Sequence, residues 1–152
     1  MPSHHETRKL PYTAKQMFAL VADVGSYPEF LPWVIATRIK SDSETEMVAD
    51  MVVGFNQLRE RFTSRVSKVP GKEIRVEYLD GPLKNLENDW QFRSVSDGCE
   101  VDFYVSFSFH NRFFESLAGQ YFDRAFCKMV SAFETRADAL YGRSKSSAHN
   151  AA

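Results

Sequence analysis

The spacing of the apolar residues changes once in the second half of the chain, from every second residue to a helical repeat, and this change limits the possible folds. From Val34 to Phe109 apolar and polar residues alternate in short segments, separated by turn sequences such as Pro70-Gly71 and Asp97-Gly98. Alternation with short connections predicts an antiparallel sheet with one apolar face. From Arg112 to Tyr141 apolar residues recur three and four positions apart. This repeat predicts a helix about 45 Å long at 1.5 Å per residue.

The N-terminal third predicts one strand and two short helices. The strand is expected over His4–Leu10, and Thr13 and Gln16 have the spacing of a capping box at the start of a helix. Gly25 is placed where a left-handed cap would end that helix, and Pro28 suits the first turn of a second, brief helix. The order of elements predicts an α+β fold, in which a curved antiparallel sheet of about six to seven strands wraps around one long C-terminal helix.

Length and charge exclude several classes of protein. The chain has 152 residues, which is the size of one domain. We expect a single domain over residues 1–142 and a flexible tail over residues 143–152, where Ser and Ala are frequent. Lys and Arg number 19 against 20 for Asp and Glu, so the net charge of −1 does not predict a DNA partner.

The sequence contains no apolar run near the roughly 18 residues that span a bilayer. Its start lacks both the apolar core of a secretory signal and the Arg-rich character of a transit peptide. We therefore expect a cytoplasmic, bacterial-type protein, for which a peripheral contact with the inner membrane stays open.

Side chains that could carry catalysis are scarce. Cys99 falls on an apolar strand face and Cys127 in the long helix, so both are interpreted as small core residues. His4 and His5 are adjacent near the N-terminus, which is a poor start for a metal site. The sequence has no Gly-rich phosphate loop, nucleophile elbow or His-Glu zinc motif. We expect neither a catalytic residue nor a metal site, and therefore no enzyme.

The apolar faces of the sheet and the long helix have two possible roles. The broad, ring-rich helix stripe is typical of a helix embraced by the core, but part of it could also line a cavity for an apolar ligand. The aromatic segment Tyr27–Trp33 could close the open end of the sheet or gate such a cavity. The candidate cavity-lining residues are Phe30, Leu31, Trp33, Met51, Val53, Leu58, Phe62, Leu83, Trp90, Phe92, Phe103, Val105, Leu117, Tyr121, Phe122 and Phe126.

Two sets of cations remain open to interpretation. Lys84 follows a Gly-Pro turn and is either a solvated charge or, at the mouth of a cavity, a contact for a polar headgroup. Arg59, Arg61 and Arg65 share one face of a strand, which is typical of a solvated outer face that discourages edge pairing. The alternative for these arginines is an RNA-facing stripe that binds phosphates.

Three segments, in this order along the chain, resemble signatures of the coenzyme Q-binding START-like family of the SRPBCC superfamily. The segments are Tyr27-Pro28-Glu29-Phe30-Leu31-Pro32-Trp33, Gly81-Pro82-Leu83-Lys84-Asn85-Leu86-Glu87-Asn88-Asp89-Trp90-Gln91-Phe92 and Ala132-Phe133-Glu134-Thr135-Arg136-Ala137-Asp138-Ala139-Leu140-Tyr141-Gly142. The chain departs from the family pattern at Val34, where a Cys is frequent, and at Leu83, where a Phe is frequent. Both departures keep the positions apolar.

The resemblance implies a helix-grip fold with a hydrophobic cavity that binds ubiquinone or a similar polyisoprenoid lipid, in support of respiratory electron transfer. The family includes mitochondrial coenzyme Q chaperones and bacterial ribosome-association toxins. The second hypothesis is therefore a toxin that binds the large ribosomal subunit and blocks subunit association. A cyclase or hydrolase on the same fold is a third possibility, for which the sequence offers no acid–base pair.

Overall fold

The computed structural model describes residues 3–55, 58–110 and 112–142, and the side chains in these ranges except those of residues 55, 58, 112–123 and 125. Residues 143–152, where a flexible tail is predicted, lie outside the described residues. The elements in chain order are β1 (Ser3–Leu10), α1 (Ala14–Ala22), a 3-10 helix (Val24–Glu29), β2 (Val34–Asp42), β3 (Glu46–Phe55), β4 (Leu58–Val69), β5 (Glu73–Asp80), β6 (Leu83–Val95), β7 (Gly98–Phe109), α2 (Arg112–Ala137) and a π-helix (Asp138–Gly142).

The strands form one seven-stranded sheet in the order β1-β7-β6-β5-β4-β3-β2, with every pair antiparallel. Strands β2 to β7 follow each other as hairpins, and β1 adds to the far edge beside β7. The helices pack on one side of the sheet, here named the inner face, and the opposite side is the outer face. The predicted α+β architecture, a curved antiparallel sheet with a long C-terminal helix, is confirmed.

The capping box at the start of α1 is present as predicted. The Gln16 backbone N–H donates to the Thr13 hydroxyl oxygen at 3.0 Å, and the Thr13 backbone N–H donates to the Gln16 side chain at 2.9 Å.

The prediction that Gly25 ends helix α1 with a left-handed cap is wrong. Helix α1 ends at Ala22, and Gly25 lies inside the 3-10 helix without a left-handed φ, because the chain turns directly from one helix into the next.

Aromatic rings fill the core between the inner face and the helices. The Phe133 ring on α2 lies 5.2 Å from the Phe30 ring, 5.2 Å from the Trp90 ring and 5.3 Å from the Tyr27 ring, measured between centroids. Phe18 of α1 contacts Phe92 edge-on. Rings packed edge to face add a favourable electrostatic term to the burial of apolar area, so this cluster fixes both helices on the sheet.

The end of the chain that the structure describes is anchored on α1. The Tyr12 hydroxyl donates to Asp138, and burial together with this hydrogen bond raises the pKa of Tyr12 to about 12. The Tyr141 hydroxyl donates to the Gln16 carbonyl at 3.1 Å. These bonds hold the π-helix against the start of α1.

Edge strand β1 presents a polar inner face to α2. Its inward residues include Glu6 and Arg8, which pair in register with Phe103 and Val101. Arg8 donates to Glu134 of α2 at 2.6 Å and forms an ion pair with Glu6. Charged pairs therefore join the last part of α2 to the edge of the sheet.

None of the helices within the described ranges is long and apolar enough to cross a membrane.

Candidate functional site

The strand register places most of the predicted cavity residues on the inner face of the sheet. Met51 pairs with Phe62 across β3 and β4, and Trp90 pairs with Phe103 across β6 and β7. The predicted residues that are buried are Leu31, Leu83, Trp90, Phe92, Phe103 and Val105, and those that are half-buried are Phe30, Trp33, Met51, Val53, Phe62 and Phe126. The side chains of Leu58, Leu117, Tyr121 and Phe122 lie outside the described ones.

Burial varies along the inner face. One end is closely packed, because Trp90 and Phe92 lie under Phe133 and Phe18 and are only 4% exposed. Toward the other end several apolar side chains are only half-buried. They are Met51, Phe62, Val76, Tyr78 and Leu86, and all of them pack against the core. We name these five residues the half-buried cluster. It offers apolar surface beside the packed core, and we name the space over it the candidate hollow.

The segment before β2 is anchored to the core. The Tyr27 hydroxyl donates to the Val21 carbonyl, and burial followed by the nearby Asp23 charge raises the Tyr27 pKa. Leu31 is buried, and Trp33 is half-buried and accepts a backbone hydrogen bond from Gly54 at 2.8 Å. If this segment acts as a gate, its opening must therefore break hydrogen bonds to the rest of the fold.

Asn88 is a polar residue on the inner face that the sequence analysis missed. It pairs with Val76 of β5 and Val105 of β7, so it shares their face. Its side-chain oxygen accepts from the Trp90 indole at 3.2 Å, and its side-chain nitrogen donates to the Tyr104 carbonyl at 2.9 Å. Leu86, Trp90 and Phe92 alternate along β6, and this pattern alone could have predicted that Asn88 faces inward.

Lys84 lies exposed near the start of β6, at a register shift between Leu83 and Asn85. A headgroup contact for Lys84 stays a prediction.

Arg59, Arg61 and Arg65 lie on the outer face of β4. Arg65 forms ion pairs with Glu46 at 3.7 Å and Glu77 at 3.2 Å. Arg59 and Arg61 are exposed, and within the described ranges neither has a carboxylate at ion-pair distance. Within the described ranges the structure therefore divides the predicted stripe into one cation with two ion pairs, Arg65, and two cations without an ion pair.

One of these two cations, Arg61, lies near enough to the buried carboxylate of Asp50 to interact with its charge. Asp50 is 5% exposed, accepts from the Thr63 hydroxyl at 2.6 Å and lies 3.5 Å from the Lys40 ammonium. The Thr63 hydrogen bond, aided by the charges of Lys40 and Arg61, lowers the Asp50 pKa. Arg38 pairs with Asp50 across the strands and is exposed. We name Arg38, Lys40, Arg59 and Arg61 the outer basic cluster.

The structure also brings together three groups that can ligate metals. His4 Nε2, a Glu6 carboxylate oxygen and Cys127 Sγ lie within 4.8 Å of one another. Glu6 already pairs with Arg8, and although burial opposes its ionisation, the hydrogen bonds from His4 and Arg8 lower its pKa. The guanidinium charge disfavours a second cation here. The absence of a metal site stays a prediction.

One residue of this cluster differs from the sequence-based expectations. His4 belongs to strand β1, as predicted. Cys99 is buried as predicted, but the interpretation of Cys127 as a core residue is wrong. Cys127 is exposed and lies beside β1 at the edge of the sheet, where its Sγ is 3.9 Å from a Glu6 carboxylate oxygen.

Residues 10–134 match the protein family described as polyketide cyclase / dehydrase and lipid transport. The chain belongs to this family. The match spans α1, the whole of β2 to β7 and most of α2. Membership of the family agrees with the resemblance seen in the sequence.

Two curated relatives represent different functions. A ribosome association toxin RatA from Rickettsia prowazekii is 38% identical over 141 residues, which cover 90% of this chain and 97% of that protein. A mitochondrial coenzyme Q-binding protein COQ10 homolog B from Xenopus laevis is 36% identical over 145 residues, which cover 92% of this chain and 59% of that protein. Neither name describes an enzyme.

Solved structures extend the family likeness to three dimensions. The solution structure of an 18 kDa protein from Caulobacter crescentus has a TM-score of 0.76 at 37% identity and covers 93% of this chain and 99% of that one. The aromatase/cyclase ZhuI from Streptomyces sp. R1128 has a TM-score of 0.80 at 14% identity, and the match covers 90% of this chain and 93% of that one. The second likeness shows a shared fold alone.

Proposed function

We propose that this chain is a non-catalytic carrier of ubiquinone or a similar isoprenoid quinone, which it binds against the inner face in support of respiratory electron transfer. The observation that carries the proposal is the half-buried cluster, an apolar surface that adjoins the packed core. The family description includes lipid transport, and one relative is named for binding coenzyme Q, which supports the choice of ligand.

The energetics of this binding come mainly from the lipid tail. Each buried methylene contributes about 0.8 kcal/mol, and micromolar affinity needs about 8 kcal/mol, so a few isoprene units are sufficient. A domain of this size cannot enclose a long tail. We expect the rest of the tail to leave near Phe30 and Trp33, where the protein would meet the inner membrane from the cytoplasm.

The first test is extraction of the untagged protein from its native host, followed by mass spectrometry of the co-purified lipids. A stoichiometric quinone is the expected result. An empty protein that also fails to bind added short-tail ubiquinone, followed by tryptophan fluorescence, would contradict the proposal.

A matched pair of variants locates the site. Met51 faces inward and its neighbour Val52 faces outward on the same strand, and both are half-buried. Met51→Glu places a charge in the hollow and should abolish quinone binding, whereas Val52→Glu should leave it unchanged. Equal affinity in the two folded variants would argue against the inner face as the binding surface.

A second candidate function is association with the large ribosomal subunit, as in a toxin that blocks subunit joining. The outer basic cluster favours this candidate, because its cations could contact RNA phosphates. Relatives named ribosome association toxin support it. The outer face and the inner face are opposite sides of one sheet, so the two candidate functions are separable by mutation.

Co-sedimentation with large ribosomal subunits tests the second candidate. The double variant Arg59→Glu/Arg61→Glu should lose co-sedimentation, and Arg65→Glu, at a cation already paired with two carboxylates, should lose much less. Equal behaviour of the two variants would remove the outer basic cluster from consideration. Met51→Glu serves as a control, since it alters only the inner face.

A further inference from the structure

Asn88 interrupts an apolar row that crosses the middle of the inner face. Met47 of β3 pairs with Val66 of β4, Val66 pairs with Val76 of β5, and Asn88 stands next in register between Val76 and Val105. Met47, Val66 and Val105 are buried, while Val76 and Asn88 are half-buried. The neighbours of this amide in the row, Val76 and Val105, are both apolar.

Two hydrogen bonds fix the orientation of the amide. The Trp90 indole can only donate, so the group 3.2 Å from it must be the Asn88 oxygen. The Tyr104 carbonyl can only accept, so the group 2.9 Å from it must be the Asn88 nitrogen. A flipped amide would set donor against donor and acceptor against acceptor.

The fixed amide retains hydrogen-bonding capacity. An Asn side chain offers two N–H donors and two lone pairs on its oxygen. The bonds to Trp90 and Tyr104 use one of each, which leaves one N–H and one lone pair among the side chains that the structure describes. Because Asn88 is half-buried, this capacity is open to a ligand, and a ligand atom that completes it in apolar surroundings forms a favourable hydrogen bond.

Two other inward polar groups near this row, Tyr78 and Lys68, are already engaged. The Tyr78 hydroxyl accepts from the Leu83 backbone N–H at 2.8 Å, and burial raises the Tyr78 pKa despite this bond. Lys68 pairs with Asp42 at 2.7 Å. Asn88 thus combines a fixed orientation, an apolar surrounding and unused capacity for both donating and accepting.

We propose that the Asn88 amide binds the ring oxygen of the lipid, so that the hollow selects ligands whose apolar body carries a carbonyl or hydroxyl group. A quinone carbonyl accepts from the second Asn88 N–H. The hydroxyl of the reduced quinol donates to the remaining lone pair of the Asn88 oxygen. One residue therefore serves both oxidation states of the ligand, and the isoprenoid tail extends along the half-buried cluster. This inference rests on the proposed function and adds the headgroup contact to it.

The test compares two ligands with the same short isoprenoid tail, a ubiquinone and an analogue with an oxygen-free benzene ring. Asn88→Leu keeps the side-chain volume and removes the hydrogen bonds. It should weaken ubiquinone binding about tenfold, the equivalent of one hydrogen bond, and leave the analogue unchanged. Val76→Ala, beside it in the same row, is the matched control and should weaken both ligands equally.

The outcomes separate the headgroup contact from the proposed function. Equal weakening of both ligands in Asn88→Leu, or no weakening of either, would overturn the role of Asn88 while leaving lipid binding intact. Failure of the wild-type protein to bind either ligand would overturn the proposed function itself.

A second measurement needs no variant and covers the case in which Asn88→Leu does not fold. Isotope-edited infrared spectra of carbonyl-labelled ubiquinone bound to the wild-type protein should show one carbonyl stretch shifted to lower frequency than in an apolar solvent. An unshifted carbonyl in the bound state would contradict the hydrogen bond.

Discussion

The guanidinium carbon of Arg136 lies 5.3 Å from the centroid of the Phe30 ring, and the same side chain donates to Glu29 at 3.2 Å. Both contacts join the C-terminal part of α2 to the segment that precedes β2. The segment lies where we expect the lipid tail to leave the protein. The position of this segment therefore depends on its contacts with α2 as well as on its own hydrogen bonds.

The first prediction concerns the coupling between Arg136 and Phe30. Arg136→Ala should lower the free energy of unfolding by about 1–2 kcal/mol, because it removes a cation–π contact, an ion pair and the packing of the aliphatic stem. A double-mutant cycle with Phe30→Leu, measured by urea unfolding, should give a coupling energy of about 0.5–1 kcal/mol. A coupling energy of zero would show that the two side chains are energetically independent. Arg93→Ala, which removes an exposed ion pair with Glu100, is the control and should change stability by less than about 0.5 kcal/mol.

The second prediction concerns Phe133, which contacts three other rings and is 3% exposed. Phe133→Ala should destabilise the fold by about 3–5 kcal/mol, since it removes apolar burial and leaves a cavity between α2 and the sheet. Phe18→Ala should cost less, because Phe18 is only half-buried. Urea unfolding of both variants gives the comparison, and equal losses would contradict the central place of Phe133 in the core.

The third prediction separates backbone strain from steric collision at two glycines. Gly98 has a φ of 149°, and a Cβ there would lie 2.0 Å from the Leu10 carbonyl oxygen. Gly71 has a φ of 73° with no heavy atom of the described residues within 4 Å of such a Cβ. Gly71→Ala should cost only the left-handed strain of about 1–2 kcal/mol. Gly98→Ala should cost far more, because β1 must shift away from β7.

Thermal unfolding of the two glycine variants measures this difference. A Gly98→Ala protein as stable as Gly71→Ala would mean that β1 can move without loss, and the pairing of β1 with β7 would then contribute little to the fold.

Local patterns were sufficient to predict much of this fold. The period-two alternation correctly placed Met51 and Phe62 on one face, because side chains on a strand alternate regardless of its partners. The Thr13–Gln16 capping box was equally readable, since both residues belong to the same turn. The helix-grip topology followed from the order of these elements and from the family resemblance.

The features that sequence reasoning missed depend on contacts between distant parts of the chain. Cys127 was assigned to the core because one side of α2 cannot be distinguished from the other until the position of β1 is known. The polar inner face of β1 meets α2 across more than 120 residues of sequence. The alternation along β6 already put Asn88 on the inner face, but its hydrogen bonds and its apolar neighbours Val76 and Val105 depend on other strands.

The last prediction concerns acid stability and the buried carboxylate of Asp50. Its pKa in the folded protein lies below the ordinary value of 3.8, chiefly because the Thr63 hydroxyl donates to the ionised form. A carboxyl group of this kind contributes stability that is fully present above pH 4 and is lost as the pH falls through its folded-state pKa. Asp50→Asn should therefore destabilise the protein most near neutral pH, and the difference from wild type should shrink as the pH falls below 4. Urea unfolding at a series of pH values measures this, with Asp97→Asn at an exposed turn as the control. A difference between Asp50→Asn and wild type that is constant across this range would show that the charge on Asp50 contributes nothing to the fold.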